Sequence, residues 1–385
     1  MKGHLTRRQL LAVAATFAGS SRGQGDEPSA LPGDGGALAA GTAGVVGPQS
    51  LSLTAVGDVT LGYHLEEYID EQVSNGATFA SMLSYPFERV RPIFAAADLV
   101  AANLECPFTA RGEKLLKNFN FRARPELAGA LQAGGIHVVT IANNHLMDYG
   151  PDGLLDTLAT LDRAGIAHCG AGRSLAEARK PAIVTRHGIT LGFLGYFYLG
   201  ERNIEPPEVI ASDDRPGVAG TYKDFEGMQK MLAEDLAALR NQVDLPIVFW
   251  HWGREGSSAL EEYQVTLGHR SVDQGARLVL GSHPHVLQGM EKYQGVPIVY
   301  SLGNFVFGGN SNPRNKDSAI YRARVDRSGV LTSEAIPVQT TRVPKAPFQP
   351  MPVAGEKAAR IIQFLEHAPL MGGKPLLESS DRAIR

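Results

Sequence analysis

Two histidines, His283 and His285, stand two residues apart in Leu278-Val279-Leu280-Gly281-Ser282-His283-Pro284-His285-Val286. The Val/Leu run predicts a short buried strand, Gly281 permits a turn after it, and Pro284 stiffens the connection. Two imidazoles can therefore be aimed at one point with little loss of entropy on binding. Neutral imidazole is the commonest metal ligand among side chains, so a metal ion is the natural target. Two turn histidines are also an ordinary feature, and the reading depends on ligand-type residues elsewhere. Four further apolar runs end in them: Asp58 follows Leu51 to Val56, Glu105 follows Leu99 to Ala102, Asn144-His145 follows Val138 to Ala142, and His251 follows Ile247 to Trp250. Ligands of open α/β sheets bind at the carboxyl ends of strands. Carboxylates, an amide and imidazoles at five strand ends point to one metal-type centre. The mixture suits Mn, Fe or Zn better than Ca.

The elements that must position these groups can be read from periodicity and breakers. Strands are expected at about 51–57, 98–104, 138–142, 246–250, 278–282 and 295–305, and a hairpin over 182–197 turns at Gly188. Residues 319–341 read as a terminal antiparallel pair. Helical segments are expected within 66–97, broken by Pro86 and Pro92, and over 125–134, 153–163, 224–240, 259–274 and 354–367. Leu154, Leu155, Leu158 and Leu161 form one apolar helix face and are core residues. Lys117 to Arg122 reads as a short strand or a loop, and 199–222 as a long polar loop of the kind that often forms lids or specificity elements. Strands alternating with helices, then hairpins and crossovers, predict an α/β or α+β fold of two mixed sheets flanked by helices.

At 385 residues, with 43% hydrophobic and 20% charged side chains, the chain has the composition of an ordinary globular protein. A net charge of −3 without a basic stripe excludes nucleic acid as the expected partner. The amino-terminal Thr6-Arg7-Arg8-Gln9-Leu10-Leu11, followed by an apolar run to about Ala18, reads as a twin-arginine export signal over 1–25. Export by that route places the protein in the periplasm, or at the membrane if the signal stays uncleaved; Ala37-Leu38-Ala39 is one candidate cleavage site. A flexible Gly/Ala/Pro linker is expected over 26–50, the main domain over 51–341, and a Pro-rich connector, helix and tail over 342–385. Cys106 and Cys169 either pair as one disulfide or remain free buried thiols.

Six motifs taken together carry a resemblance: Gly57-Asp58; Asn103-Leu104-Glu105; Ala142-Asn143-Asn144-His145 with Asp148-Tyr149-Gly150; His251-Trp252-Gly253-Arg254-Glu255; Gly281 to Val286; and Ser301-Leu302-Gly303-Asn304-Phe305. In this order over residues 51–310 they resemble the capsule-synthesis CapA family, also called PgsA-type. That family is similar in turn to the calcineurin-like metallophosphoesterases, which implies a four-layer αββα sandwich and two divalent transition-metal ions. By the resemblance, Asp58 and His285 would hold the first ion, Asn144, His251 and His283 the second, and Glu105 would bridge them. His145 would act on the substrate's leaving group as general acid, with Asp148 orienting its ring. Asn103, Asn143, Glu255 and Asn304 fall in the motifs as outer-layer or substrate residues. Glu255 would orient His251, and Asn304 would serve a turn or the substrate. Two departures bear on the first ion: Thr60 stands where the phosphoesterases place a histidine ligand, and Glu105 is longer than their Asp. His64 is not expected to substitute.

The resemblance implies an exported metal-dependent enzyme of poly-γ-glutamate capsule formation or turnover, working by hydrolysis or transfer at a phosphate or an amide. Its substrate would be an anionic polymer or a small phosphate-bearing molecule, and its partner a capsule-synthesis membrane complex. Two alternatives stay open: a periplasmic phosphomonoesterase or nucleotidase with no link to capsule, and a non-catalytic assembly or export component. An intact His145 favours an enzyme over a scaffold, because a structural centre has no use for a leaving-group acid.

Overall fold

The computed structural model describes residues 50–310, 312–340, 342–343, 346–370 and 374–375; the expected export signal, nearly all of the expected linker and the end of the expected tail lie outside the described residues. In chain order the first elements are β1 (Leu51–Thr60), α1 (His64–Ser74), α2 (Phe79–Ser84), α3 (Arg91–Ala95), β2 (Leu99–Leu104), α4 (Ala128–Gly134), β3 (Val138–Thr140), α5 (Gly150–Ala164), β4 (Ala167–Cys169), β5 (Ala171–Gly172) and α6 (Leu175–Ala178). There follow β6 (Ala182–Arg186), β7 (Ile189–Tyr198), β8 (Gly217–Val218), α7 (Phe225–Leu239), β9 (Leu245–Trp252), α8 (Glu262–Asp273) and β10 (Leu278–Ser282). The last are β11 (Leu287–Tyr293), β12 (Val296–Leu302), β13 (Asn304–Phe307), β14 (Asp317–Asp326), β15 (Gly329–Gln339) and, after a connector, α9 (Gly355–His367).

Two mixed sheets result. One runs β15-β14-β1-β2-β3-β4, with a short strand at 351–352 beyond β15 and β13 paired to β1; the other runs β11-β12-β10-β9-β7-β6. Strands β1 to β4 are mutually parallel, as are β7, β9, β10 and β12. Helical crossovers set that direction except between β10 and β12, where β11 makes the return, and the carboxyl ends of each parallel set come to one edge.

Burial separates three apolar layers. Leu53, Ala101, Val138, Phe193, Phe249 and Leu280 lie between the sheets. The alternate side chains of β1 to β3, including Val100, Ala102 and Val139, pack with Leu65, Ile69, Leu131 and Leu158 of the helices on one outer face. Those of β7 and β9, including Tyr196, Val248 and Trp250, pack with Met228, Leu232 and Leu267 on the other. Because successive side chains of a strand point to opposite faces, strands buried on both sides must be apolar throughout. The order helix, sheet, sheet, helix is the αββα sandwich expected from the sequence.

Three boundaries differ from the expectation. Asp58 lies inside β1 rather than after it, because β13 takes up the pairing at Asp58↔Asn304 and carries the strand to Thr60. His251 likewise lies inside β9, which β7 holds in register as far as Tyr198↔Trp252. The carboxy-terminal helix belongs to the sandwich: Ile361 and Leu365, one helical turn apart on α9, are buried in the layer between the sheets. Cys106 and Cys169 are free and buried, with thiols that burial pushes up to about 12.

Candidate metal centre

At the carboxyl edge of the parallel strands, the chain's local geometry turns ligand-type groups inward. Gly57 makes this possible on β1: a Cβ there would sit 1.9 Å from the Gly303 carbonyl oxygen, which instead accepts from the Asp58 amide at 3.0 Å. The strand is irregular between Ala55 and Asp58, and the carboxylate enters the space between the sheets fully buried. Glu105 follows β2 directly, its carbonyl accepting from the Thr60 hydroxyl at 3.2 Å. On the turn after β10, His283 and His285 both take positive φ, 97° and 58°. Such backbone costs about 1–3 kcal/mol per residue and persists where the surroundings over-determine it, typically at functional sites.

The groups so delivered form two overlapping clusters. Ligand atoms of Glu105, His251 and His283 lie within 4.8 Å of one another, as do those of Asp58, Glu105 and His285, with Glu105 common to both. In the first, His251 Nε2 is 2.9 Å from Asn144 Oδ1, 3.0 Å from His283 Nδ1 and 3.5 Å from Glu105 Oε1. In the second, His285 Nδ1 is 3.3 Å from Asp58 Oδ2 and 3.0 Å from Asn304 Oδ1, and its Nε2 is 3.7 Å from Glu105 Oε1.

Chemistry decides whether a cation fits. Asp58 Oδ2 and both Glu105 carboxylate oxygens are buried with no hydrogen-bond partner among the described residues. Orphaned, desolvated carboxylates are costly unless a cation compensates them. Around His251 Nε2 converge an amide oxygen and a carboxylate oxygen, both with lone pairs, and a second imidazole nitrogen, and one proton on His251 serves only one of them. Ligands about 2.0–2.2 Å from an ion stand roughly 3 Å or somewhat more from one another, which is the spacing seen. Burial, reinforced by neighbouring histidine charge, holds His251 and His283 well below the usual imidazole range, in the neutral form that ligates. Burial and then the nearby Asp58 push the Glu105 carboxyl well above its usual range. Burial acts to lower His285, but Glu105 and Asp58 outweigh it and raise the ring to about 10. Without a cation the second cluster therefore keeps a proton in the middle of its carboxylates. The donor set fits divalent metal.

Further hydrogen bonds hold these ligands in place. Asn103 Nδ2 donates to Asp58 Oδ1 at 2.9 Å and stands 3.4 Å from His251 Nδ1. Asn143 Nδ2 donates to the Leu104 carbonyl at 2.8 Å, and its oxygen accepts from the His145 amide at 3.1 Å. Above the cluster opens a cavity of ≈ 840 Å³ whose lining includes Asn144, His145, His283 and His285. His145 Nδ1 lies 2.7 Å from Asp148 Oδ2, and a carboxylate only accepts, so the ring proton sits on Nδ1 and Nε2 has no other protein partner among the described residues. Burial lowers the His145 pKa, and the Asp148 charge partly opposes that.

Two expected roles are revised. Glu255 does not orient His251, whose Nδ1 instead meets Ser282 Oγ at 3.2 Å; Glu255 is exposed on the cavity rim. Asn304 does more than serve a turn, since its pairing with Asp58 across β1 and β13 brings its amide to His285. His64 hydrogen-bonds Glu67 on the exposed side of α1. Trp252 stacks between Trp250 and Tyr300 as a packing residue. The sequence pattern gave no signal for Ser282, Lys117 or Glu205. Lys117 and Glu205 also line the cavity, and the one hint, the length of the 199–222 loop, bears on Glu205 alone.

The bacterial capsule synthesis protein family PGA_cap matches residues 52–309. The capsule biosynthesis protein CapA of Bacillus anthracis is 30% identical over 297 residues, 75% of this chain and 67% of that one. The PGA biosynthesis protein CapA of Bacillus subtilis (strain 168) is 31% identical over 302 residues, 78% of this chain and 74% of that one. A probable polyglutamine synthesis accessory protein of Mycobacterium tuberculosis is 34% identical over 263 residues, 64% of this chain and 67% of that one. All six motifs fall within the matched region.

Proposed function

The chain belongs to the bacterial capsule synthesis family, and on that premise we propose that it is an exported metal-dependent enzyme of poly-γ-glutamate capsule formation or turnover, acting by hydrolysis or transfer at a phosphate or an amide. The observation that carries this reading is the set of buried carboxylate oxygens on Asp58 and Glu105 without hydrogen-bond partners among the described residues, clustered with His251, His283 and His285 on the floor of an open cavity. Asp58, Glu105 and His285 would hold one divalent ion, with Asn304 beside them; Glu105, Asn144, His251 and His283 would hold the second. Mn, Fe or Zn bound there would acidify a water toward neutral pH and neutralise charge on the attacking and leaving oxygens.

The chain's own residues supply the remainder. His145 keeps Nε2 at the cavity and Nδ1–H on Asp148; once Nε2 takes up a second proton the ring can deliver it to a leaving group, and Asp148 fixes the ring and stabilises that imidazolium. A purely structural centre has no use for that pair. The anionic character of poly-γ-glutamate and of phosphate esters makes either an acceptable substrate class, and a capsule-synthesis membrane complex is the fitting partner. The test is a screen of the purified chain on an aryl phosphate, a phosphodiester and poly-γ-glutamate with Mn, Zn and Fe, alongside complementation of a capsule-deficient strain. Turnover with restored capsule is expected. Phosphate-ester hydrolysis without a capsule phenotype would favour a phosphatase unrelated to capsule, and restoration by an inactive His145→Ala variant would favour a scaffold.

Export through Arg7-Arg8 is part of the proposal. Among the described residues no helix is long and apolar enough to cross a membrane. Changing both arginines to lysine should retain a tagged precursor inside the cell, and normal export of that variant would reject the twin-arginine route.

A further inference from the structure

One buried cation joins two loops over the centre. Lys117, from the segment that follows Glu105, has a side chain only 7% exposed; its Nζ lies 3.0 Å from Asp148 Oδ1 and 2.8 Å from Glu205 Oε2. It also donates to the Asn144 carbonyl at 2.8 Å. An ammonium has three donors. One goes to the Asn144 carbonyl, and the two carboxylates beside it already balance the charge, so Lys117 lines the cavity as an ammonium committed to the protein.

Each carboxylate then reaches one member of the Asn144-His145 pair. Glu205 Oε1 accepts from Asn144 Nδ2 at 3.0 Å, which leaves Asn144 Oδ1 turned toward His251. Asp148 Oδ2 meets His145 Nδ1. The other oxygens of these carboxylates, Asp148 Oδ1 and Glu205 Oε2, are buried with no polar partner but Lys117 among the described residues. Backbone contacts hold both loops: the Leu115 amide donates to the Asp148 carbonyl at 2.8 Å, and the Glu205 amide to Asn203 Oδ1 at 2.9 Å. Stability alone is a poor reason for such a group, because well-packed apolar side chains are often as stable as a buried ion pair. What the pair does supply is direction.

We propose that Lys117 and Glu205 are positioning residues, a buried clamp through which the 199–209 loop sets the orientation of Asn144 toward the metal centre and of His145 toward the substrate. The inference rests on the metal-centre reading above. It makes loop and centre one unit: with the loop displaced, Asn144 loses the acceptor that turns its amide and Lys117 loses one of its two counter-charges.

The test compares full-length wild type with Glu205→Ala, Glu205→Gln and Lys117→Met by calorimetric titration of Mn and Zn, with folding checked by circular dichroism. Removing the partner that orients a ligand typically costs about 10–100-fold in metal affinity. That loss is expected for Glu205→Ala and Lys117→Met. Glu205→Gln, which keeps an oxygen for Asn144 Nδ2, should recover most of it. On any ester the wild type turns over, kcat should fall with KM changed by less than about twofold, since the clamp touches no substrate. Equal affinities in all four proteins would overturn the clamp. So would a raised KM at unchanged kcat, which would make Lys117 a substrate contact. A wild type that takes up no metal would instead overturn the centre on which the clamp depends. Should Lys117→Met fail to fold, the Ala and Gln variants of the loop residue Glu205 decide alone.

Discussion

His145→Ala is expected to lower turnover by about 10²–10⁴ while leaving metal content and the thermal midpoint of the loaded protein nearly unchanged, the usual range for removing a general acid or base. The separation follows from where the ring stands. His145 is outside both ligand clusters, and its Nδ1 is committed to Asp148. Its loss therefore removes a proton donor without removing a ligand. Asp148→Asn should show a smaller fall in rate, because the ring remains but loses the charge that stabilises its protonated form. Stopped assays on the best substrate from the screen, with elemental analysis of the same samples, check the prediction. Loss of metal together with activity in His145→Ala would place that imidazole among the ligands and contradict the assignment.

The second large effect is at Glu105. Because its carboxylate alone belongs to both clusters, Glu105→Gln should weaken both ions at once and lower activity by about 10³-fold or more, corresponding to several kcal/mol of lost charge stabilisation. Its effect on the metal-free protein has the opposite sign. Glu105 is completely buried, both oxygens lack hydrogen-bond partners among the described residues, and Asp58 adds to burial in raising the cost of ionising it. An isosteric amide removes an ionisable group that only a cation satisfies, so chelated Glu105→Gln should melt a few degrees higher than chelated wild type, an unpaired buried polar group being worth about 1–3 kcal/mol. Added metal should then raise the wild-type midpoint and leave the variant where it was. Scanning calorimetry with and without chelator reads both signs. A chelated variant that melts lower than wild type would mean that Glu105 is paired within the protein and serves structure.

Much of this was legible in the sequence because strand ends are written in it. An apolar run followed by Asp58, Glu105, Asn144 or His283 states both the strand and what it delivers, because strands buried on both faces are short continuous apolar runs bounded by turn residues. The two mixed sheets and the identity of the clustered residues follow from such runs, while the four-layer order was implied by the family resemblance. Positions set by pairing between distant segments were not legible. Asp58 and His251 lie inside their strands because β13 and β7 pair past them. The amide of Asn304 reaches His285 only through the Asp58↔Asn304 register. Lys117 and Glu205 come from segments without periodicity, and their significance depends wholly on three-dimensional convergence. The positive φ of His283 and His285 was also hidden, since local sequence would favour glycine or asparagine there.

The central claim is that the buried cluster holds divalent metal, and elemental analysis of the purified wild-type chain after mild dialysis tests it most directly. About one to two equivalents of a transition metal are predicted, with a thermal midpoint that falls on chelation and returns when Mn, Zn or Fe is restored, as binding to the folded state requires. Less than about a tenth of an equivalent, no uptake from any of those solutions and no thermal shift would contradict it, because an ion with any useful affinity for the folded protein must stabilise it.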